Sequence, residues 1–329
     1  MPFRNFAPII IVSVCGWLLP HASAQGPHIL STEPAPFPPH FLPVVAPGEV
    51  IDVTVRIPET EEESLIEAPV ARQLATSPWP TRLAGVSVKA RFRHFGGATR
   101  VFDLPVGRVE QLPRLGFGLV LSVTTQIPFE AEARPLRVFG NDGPNSVACL
   151  TVVIEREESP PVCHEVLPAH HRLRSTRRDF PAFLHSDGRA VTDSQPARSG
   201  ETITVLATGM GITNFPARTG EETRAPNAAI DVSCCQLGFD FDSPRLPLVE
   251  GGSAGFDRQR PESIRLKPGE VGVYEIVFRM PAAPAGLRPC GPLSVDQLPG
   301  VNARLTLSGL GGPQSSALFC AALGNPFSR

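Results

Sequence analysis

Apolar and polar positions alternate with a period of two along most strand-length runs of this chain. The stretch from Ser199 to Ala207 shows this plainly, with Ile203, Val205 and Ala207 on one side and Thr202 and Thr204 on the other. That spacing turns one face of a strand to a core and the other to water. Ser199-Gly200 before it supplies a turn. A near copy stands 152 residues earlier, where Pro47-Gly48-Glu49 leads into Val50-Ile51-Asp52-Val53-Thr54-Val55. Val120–Pro128 recurs as Val273–Pro281 at an offset of 153, and Gly143-Pro144-Asn145-Ser146 as Gly312-Pro313-Gln314-Ser315. Openings, penultimate strands and closings come in the same order, which predicts two related β modules in tandem.

Between these landmarks, Leu83–Phe92 and Leu119–Thr125 alternate in the same way, Gly96-Gly97 separates two strand-like runs as a hairpin turn, and Ser146–Ile154 closes the first module. No long stretch carries the 3.6-residue spacing of an amphipathic helix. The reading is all-β, with modules at 44–156 and 181–324. Residues 157–180, with Pro160-Pro161 and then Arg172, Arg174, Arg177 and Arg178, read as a charged, solvated connector. Residues 25–43, with Pro34, Pro36, Pro38 and Pro39, read as an extended, polyproline-like lead-in, either a spacer or a tail.

Residues 1–24 have the form of a secretory signal: Arg4, an uncharged apolar run from Phe6 to Leu19, the break at Pro20, and Ala22-Ser23-Ala24 before Gln25. The run is short of the about 20 residues a membrane-spanning helix needs. Val14 before Cys15 argues against a lipoprotein signal. The expected location is therefore exported, extracellular or periplasmic, with no membrane span after signal removal. The 37 Pro and 29 Gly are spread between short apolar runs, as in an all-β protein rich in turns. A net charge of −2 supplies no field to attract nucleic acid. With Cys15 in the signal, Cys149, Cys163, Cys234, Cys235, Cys290 and Cys320 remain as disulfide candidates, in any of the fifteen pairings six cysteines allow. Cys234 and Cys235 would point to opposite faces of a strand, and so to different partners.

Few residues form a coherent chemical set. Gly251-Gly252-Ser253-Ala254-Gly255 matches the nucleophile-elbow pattern, which needs a strand before it and a helix after it; Asp257-Arg258-Gln259-Arg260-Pro261 is a poor helix start. That hydrolase fold also places its histidine after the serine, and the last histidine here is His185. Cys163-His164, His170-His171 and His185 are the one cluster of potential zinc ligands, without a paired Cys-x-x-Cys and with adjacent histidines that diverge on an extended chain. The Glu59–Glu63 run and the Asp240, Asp242 pair lack the spaced Asp/Asn/Gly pattern of a calcium loop. Trp79 and Tyr274 are the lone Trp and Tyr beyond the signal, so aromatic platforms for sugar rings are sparse. The expectation is no catalytic residue, no metal and no cofactor.

Asp187-Gly188-Arg189, Pro196–Val205, Ala207-Thr208-Gly209-Met210-Gly211, Pro268–Ile276 and Met280-Pro281 resemble the uncharacterised secreted C-terminal domain of soil acidobacteria of the Solibacter type. Pro47–Pro128 resembles the related module that often precedes it. The resemblance implies immunoglobulin-like β-sandwiches on an exported protein and carries no site residues. It departs from the pattern at the Pro/Gly-rich insertion 242–260. Tyr274 is expected to pack inward with its hydroxyl bonded to nearby backbone, as in a tyrosine corner, or as a plain core aromatic. The functional expectation is a secreted, non-enzymatic structural or adhesion module whose partner is an unidentified extracellular protein or polysaccharide surface. The alternatives are a ligand- or glycan-binding protein using the 242–260 loop, and, third, a hydrolase or metalloenzyme centred on Ser253 or the 163–185 histidines.

Overall fold

The computed structural model of the chain describes residues 27–33, 44–57, 72–94, 99–112, 119–131, 146–170, 172–173, 183–211, 213–214, 217–223, 229–241, 257–284, 287, 289–290, 302–309 and 315–323. The signal segment, Glu59–Glu63 and residues 242–256, including Ser253, lie outside the described residues.

Among the described residues, twelve strands build the first sandwich. They are β1 (His28–Glu33), β2 (Val44–Val45), β3 (Val50–Ile57), β4 (Arg72–Leu74), β5 (Arg82–Leu83) and β6 (Val86–His94). β7 (Thr99–Leu104), β8 (Val106–Gln111), β9 (Leu119–Gln126), β10 (Ser146–Ile154), β11 (Glu157–Glu158) and β12 (Val162–Val166) follow. One sheet runs β1-β3-β9-β8-β4; the other runs β2-β12-β10-β6-β5, with β7 also on β6 and β11 on β10. The alternation works as expected. Ile51, Val53, Val55 and Ile57 of β3 and Leu119, Leu121 and Val123 of β9 meet Val88, Ala90 and Phe92 of β6 and Ala148, Leu150 and Val152 of β10 in one core. The strand expected from Leu83 begins instead at Val86. Ala84 and Gly85 stand at φ of 50° and 76°, the two positive values of a type I′ hairpin turn, so β5 folds back on β6.

The second sandwich repeats the plan with β13 (Arg172–Leu173), β14 (Phe183–His185), β15 (Thr202–Thr208), β16 (Cys235–Phe241) and β17 (Asp257–Gln259). β18 (Ser263–Leu266), β19 (Tyr274–Arg279), β20 (Ala303–Gly309) and β21 (Ser315–Phe319) complete it. β13-β15-β19-β18, with β14 on β15, faces β17-β16-β20-β21 across a core that includes Tyr274, Ile276, Phe278, Leu237, Phe239, Leu305 and Leu307. In the first sandwich β1 pairs antiparallel with β3, and in the second β14 pairs antiparallel with β15. A short segment then crosses to pair parallel with the last strand of the opposite sheet: β2 with β12, and Ala197 with Ala321. This division of an edge strand between two facing antiparallel sheets is the immunoglobulin-like arrangement.

The duplication extends to hydrogen-bond register. Val50 opposes Gln126 and Val53 opposes Val123; in the second copy Thr202 opposes Arg279 and Val205 opposes Ile276. The closing motifs are not equivalent, however. β10 pairs with β6 as β20 pairs with β16, so β10 corresponds to β20 and β12 to β21. The Gly-Pro pairs at 143 and 312 therefore precede different strands of the plan.

Two segments expected to lie outside the modules are built into them. His28–Glu33 of the lead-in pairs with β3 and packs Ile29 against the first core. In the connector, β11 and β12 extend the first sandwich and β13 joins the second. Val162 and Val166 flank the central residues of a strand that alternates, and Pro160-Pro161 interrupt pairing at the edge, where missing N–H groups are tolerated.

Cys149 and Cys163 oppose each other across β10 and β12 and form a disulfide; Cys290 and Cys320 form a second. Because Ala148, Leu150 and Val152 turn inward, Cys149 lies on the outer face of its sheet. This bridge therefore ties neighbouring strands rather than facing sheets, and the core beneath it is aliphatic. Val232–Cys234 form a 3-10 turn, and β16 starts at Cys235, which is buried in the second core. The two adjacent cysteines therefore do not share a strand. His164, inward-facing beside Val166, is fully buried with no hydrogen-bond partner at either ring nitrogen among the described residues. Burial pushes its pKa down to about 4.

Converting both Cys149 and Cys163 to Ala should cost about 3 kcal/mol, from the loop the bridge closes, read as a lower denaturation midpoint. The His164 shift makes a signed prediction. The unfolded chain binds a proton that the folded chain refuses, so the stability linked to His164 is full above about pH 6.5 and falls by up to about 3 kcal/mol as pH drops to 4. His164→Leu should remove that slope, as measured by denaturation at pH 4.5, 5.5 and 7.

Candidate functional site at the junction of the sandwiches

The junction is built on a turn that the chain uses twice. Gly48 stands at φ of 75° and Gly200 at 76°, a region that favours glycine. Gly48 N–H donates to Ile127 O at 2.9 Å and Ile127 N–H to Glu49 O at 2.8 Å; Gly200 N–H donates to Met280 O at 2.8 Å and Met280 N–H to Glu201 O at 2.8 Å. Each glutamate then reaches back three residues. Glu49 Oε2 accepts from Ala46 N–H at 2.8 Å, and Glu201 Oε2 from Arg198 N–H at 2.9 Å. Each also holds a histidine: His170 Nδ1 lies 3.1 Å from Glu49 Oε1, and His185 Nδ1 lies 2.6 Å from Glu201 Oε1.

Burial separates the copies. Glu201 keeps about a fifth of its side chain in solvent (22%), whereas Glu49 has none. Partial burial raises the Glu201 carboxyl, but the Arg198 N–H and His185 outweigh it and hold the pKa below the usual carboxylate range. Glu49 is sealed by the second sandwich. A Cβ on Gly209 would lie 2.1 Å from His170 O and 3.2 Å from Glu49 Cδ, and one on Gly211 would lie 2.4 Å from Pro168 O. His170 N–H donates to Gly209 O at 2.6 Å, and Tyr274 donates its hydroxyl hydrogen to Gly211 O, also at 2.6 Å. Tyr274 is fully buried, as expected. Its partner is distant in sequence, on the segment after β15, so the residue anchors the junction loop and is not a local corner. Burial drives its phenol pKa upward.

Gln126 closes the other side. Its Nε2 donates to Gly48 O at 3.1 Å and its Oε1 accepts from Gly220 N–H at 2.6 Å, so one buried amide spans both sandwiches. A Cβ on Gly272 would meet Gly48 O at 2.6 Å. Trp79 N–H donates to Gly220 O at 2.8 Å, Glu222 N–H to Ser77 Oγ at 2.8 Å, and Phe129 N–H to Thr219 Oγ1 at 3.0 Å. Phe129 itself follows β9 yet is buried in the second core.

Beside this seam runs an open groove of about 670 Å³, floored by the outward residues Asp52, Arg108 and Thr124 of the first sandwich. Arg108 pairs with Asp52 at 3.2 Å and with Thr124 Oγ1 at 3.1 Å, and Thr124 Oγ1 also donates to Asp52. Trp79, Arg72 and Leu74 form one wall; Arg172, Glu270 and Val271 form the other.

The residues flagged for chemistry do not converge. His164 is in the first core, His170 at the seam and His185 at the end of β14; His171 lies outside the described residues. Cys163 is oxidised. Among the described residues no three His, Cys, Asp or Glu side chains are grouped to hold a metal, and no helix is long and apolar enough to cross a membrane. Of the connector arginines only Arg172 is described, and it lines the groove. The insertion is described only at its end, where β17 extends β16. Glu49 and Gln126 escaped the sequence reading, although the repeated Gly-Glu was a signal for the first; Trp79 figured there only as a sparse aromatic platform.

No family model matches the chain, and neither does any curated protein. Among solved structures it is similar to the FN1–FN3 domains of chicken CNTN1, at 8% identity over 90% of this chain and 67% of that one, with a TM-score of 0.20. It is also similar to the C-terminal domain of the AgI/II polypeptide BspA of Streptococcus agalactiae, at 8% identity, 86% and 96% coverage and a TM-score of 0.16. A third is extracellular domains 3–5 of Drosophila OTK, at 12% identity, 90% and 98% coverage and a TM-score of 0.14. The fold assignment rests on the strand order and register described above.

The twin turns make a paired test. Glu49→Ala strands a buried histidine and N–H and should cost about 3–5 kcal/mol; Glu201→Ala, at the wetter copy, should cost about 1–2 kcal/mol. Denaturation of both variants checks the order.

Proposed function

We propose that the chain is an exported, non-enzymatic module of structural or adhesive type, in which two immunoglobulin-like sandwiches are held in one orientation. The observation that carries this is the buried seam. Glu49 with His170, and Gln126 bridging Gly48 and Gly220, give the junction the packing of an interior, where a flexible linker would leave these groups in water. Two disulfides fit an oxidising compartment, and the expected signal 1–24 fits the same location. Membership of the Solibacter-type secreted family belongs to this proposal. Enzyme chemistry is disfavoured because the histidines sit in separate structural roles and Cys163 is committed to a bridge.

The partner is an extracellular protein or polysaccharide surface. Fractionation of a producing culture tests the reading: the protein should be retained with cells or matrix and released only by denaturant or high salt. Recovery of the whole pool as free monomer in the medium would overturn it.

A further inference from the structure

The groove is the described concave surface that both sandwiches share, and its volume of about 670 Å³ falls among small-molecule sites, which span about 300–1,000 Å³. Its chemistry is unevenly satisfied. Arg108 is spoken for by Asp52 and Thr124, and Glu270 by Lys267. Arg72 and Arg172, which stand on opposite walls, make no ion pair among the described residues. Arg72, Arg108 and Arg172 balance Asp52, Glu222 and Glu270 over the whole lining, and the two guanidinium groups without an ion pair among the described residues are the ones on the walls.

Trp79 gives the groove its apolar surface. A Cβ on Gly107 would lie 2.6 Å from both Cη2 and Cζ2 of the indole, so the ring lies against the bare backbone there. The backbone that carries the ring is held on both sides by main-chain bonds. Trp79 N–H is bonded to Gly220 O, and Val106 N–H to Pro80 O at 2.7 Å. An aromatic fixed before binding loses little entropy on contact, and a flat indole beside guanidinium forks suits a ring carrying carboxylates.

We propose that this groove binds an acidic saccharide, with Trp79 stacked on a sugar ring and Arg72 and Arg172 taking its carboxylates. The assignment deepens the adhesion reading by naming a ligand class, and it places recognition at the seam instead of the 242–260 loop.

The chain has two tryptophans, and the other, Trp17, lies in the expected signal, so the intrinsic fluorescence of the exported protein reports on Trp79. Titration with oligogalacturonate should quench or shift that emission, whereas neutral maltohexaose should not. By calorimetry, the Arg72→Ala, Arg172→Ala double variant should lose at least about tenfold in affinity, and binding should weaken as salt rises. Trp79→Ala should abolish binding; if it fails to fold, Trp79→Phe, which keeps an aromatic face, should retain a weakened interaction. Equal affinity for both sugars, no change in emission, or full affinity in the arginine variant would overturn the proposal. Culture retention that persists in the arginine variant would leave the adhesion reading standing with another surface. Groove binding without retention would remove adhesion alone.

Discussion

The glycine–glutamate turn is the constraint on which the rest of this structure depends. At Gly48 and again at Gly200, a positive φ lets the chain bond both ways to the residue that follows β9 or β19, and this fixes the register of β3 on β9 and of β15 on β19. A strand slipped by one residue turns its whole apolar set outward. Holding the register at one end therefore decides which residues make the core. The carboxylate that closes the turn is then free to bind a histidine. In the second copy that bond is half-wet; in the first it is covered by Gly209 and Gly211 of the neighbouring sandwich and becomes part of the joint. One local device thus sets register twice and orientation once.

Orientation is held by close approach of main chain. Gly209, Gly211 and Gly272 admit no side chain without collision, and Gln126 satisfies a carbonyl on one side and an N–H on the other. An unpaired polar group in such a place costs about 1–3 kcal/mol, so separating the two halves is opposed by more than the apolar area at the seam, to which Phe129 contributes. The groove beside the seam inherits its shape from these contacts, because its two walls belong to different sandwiches.

The period of two made the strands legible, and the repeated Gly-Glu with the matching Ile127-Pro128 and Met280-Pro281 made the duplication legible down to residues that prove equivalent in register. What escaped depends on partners remote in sequence. Glu49 is an ordinary turn residue until Gly209 covers it, and Gln126 is one more polar residue on a strand until Gly220 arrives. Local composition also misled. The prolines of the lead-in and connector suggested unpaired chain, yet β1 and β12 pair across edges where proline is tolerated. The Gly-Pro closings matched by composition and differ by a strand in topology. Tyr274 was placed correctly inward, and only its distant acceptor could not be read from its neighbours.

β12 carries an inward His164 with no hydrogen-bond partner among the described residues, so its register rests on few apolar side chains, chiefly Val166, although a shift of one residue would turn Glu165 inward. The Cys149–Cys163 bridge joins residues that face each other only in the native register. Oxidation therefore adds a covalent lock to this alignment: the bridge closes across the native register and keeps it once made.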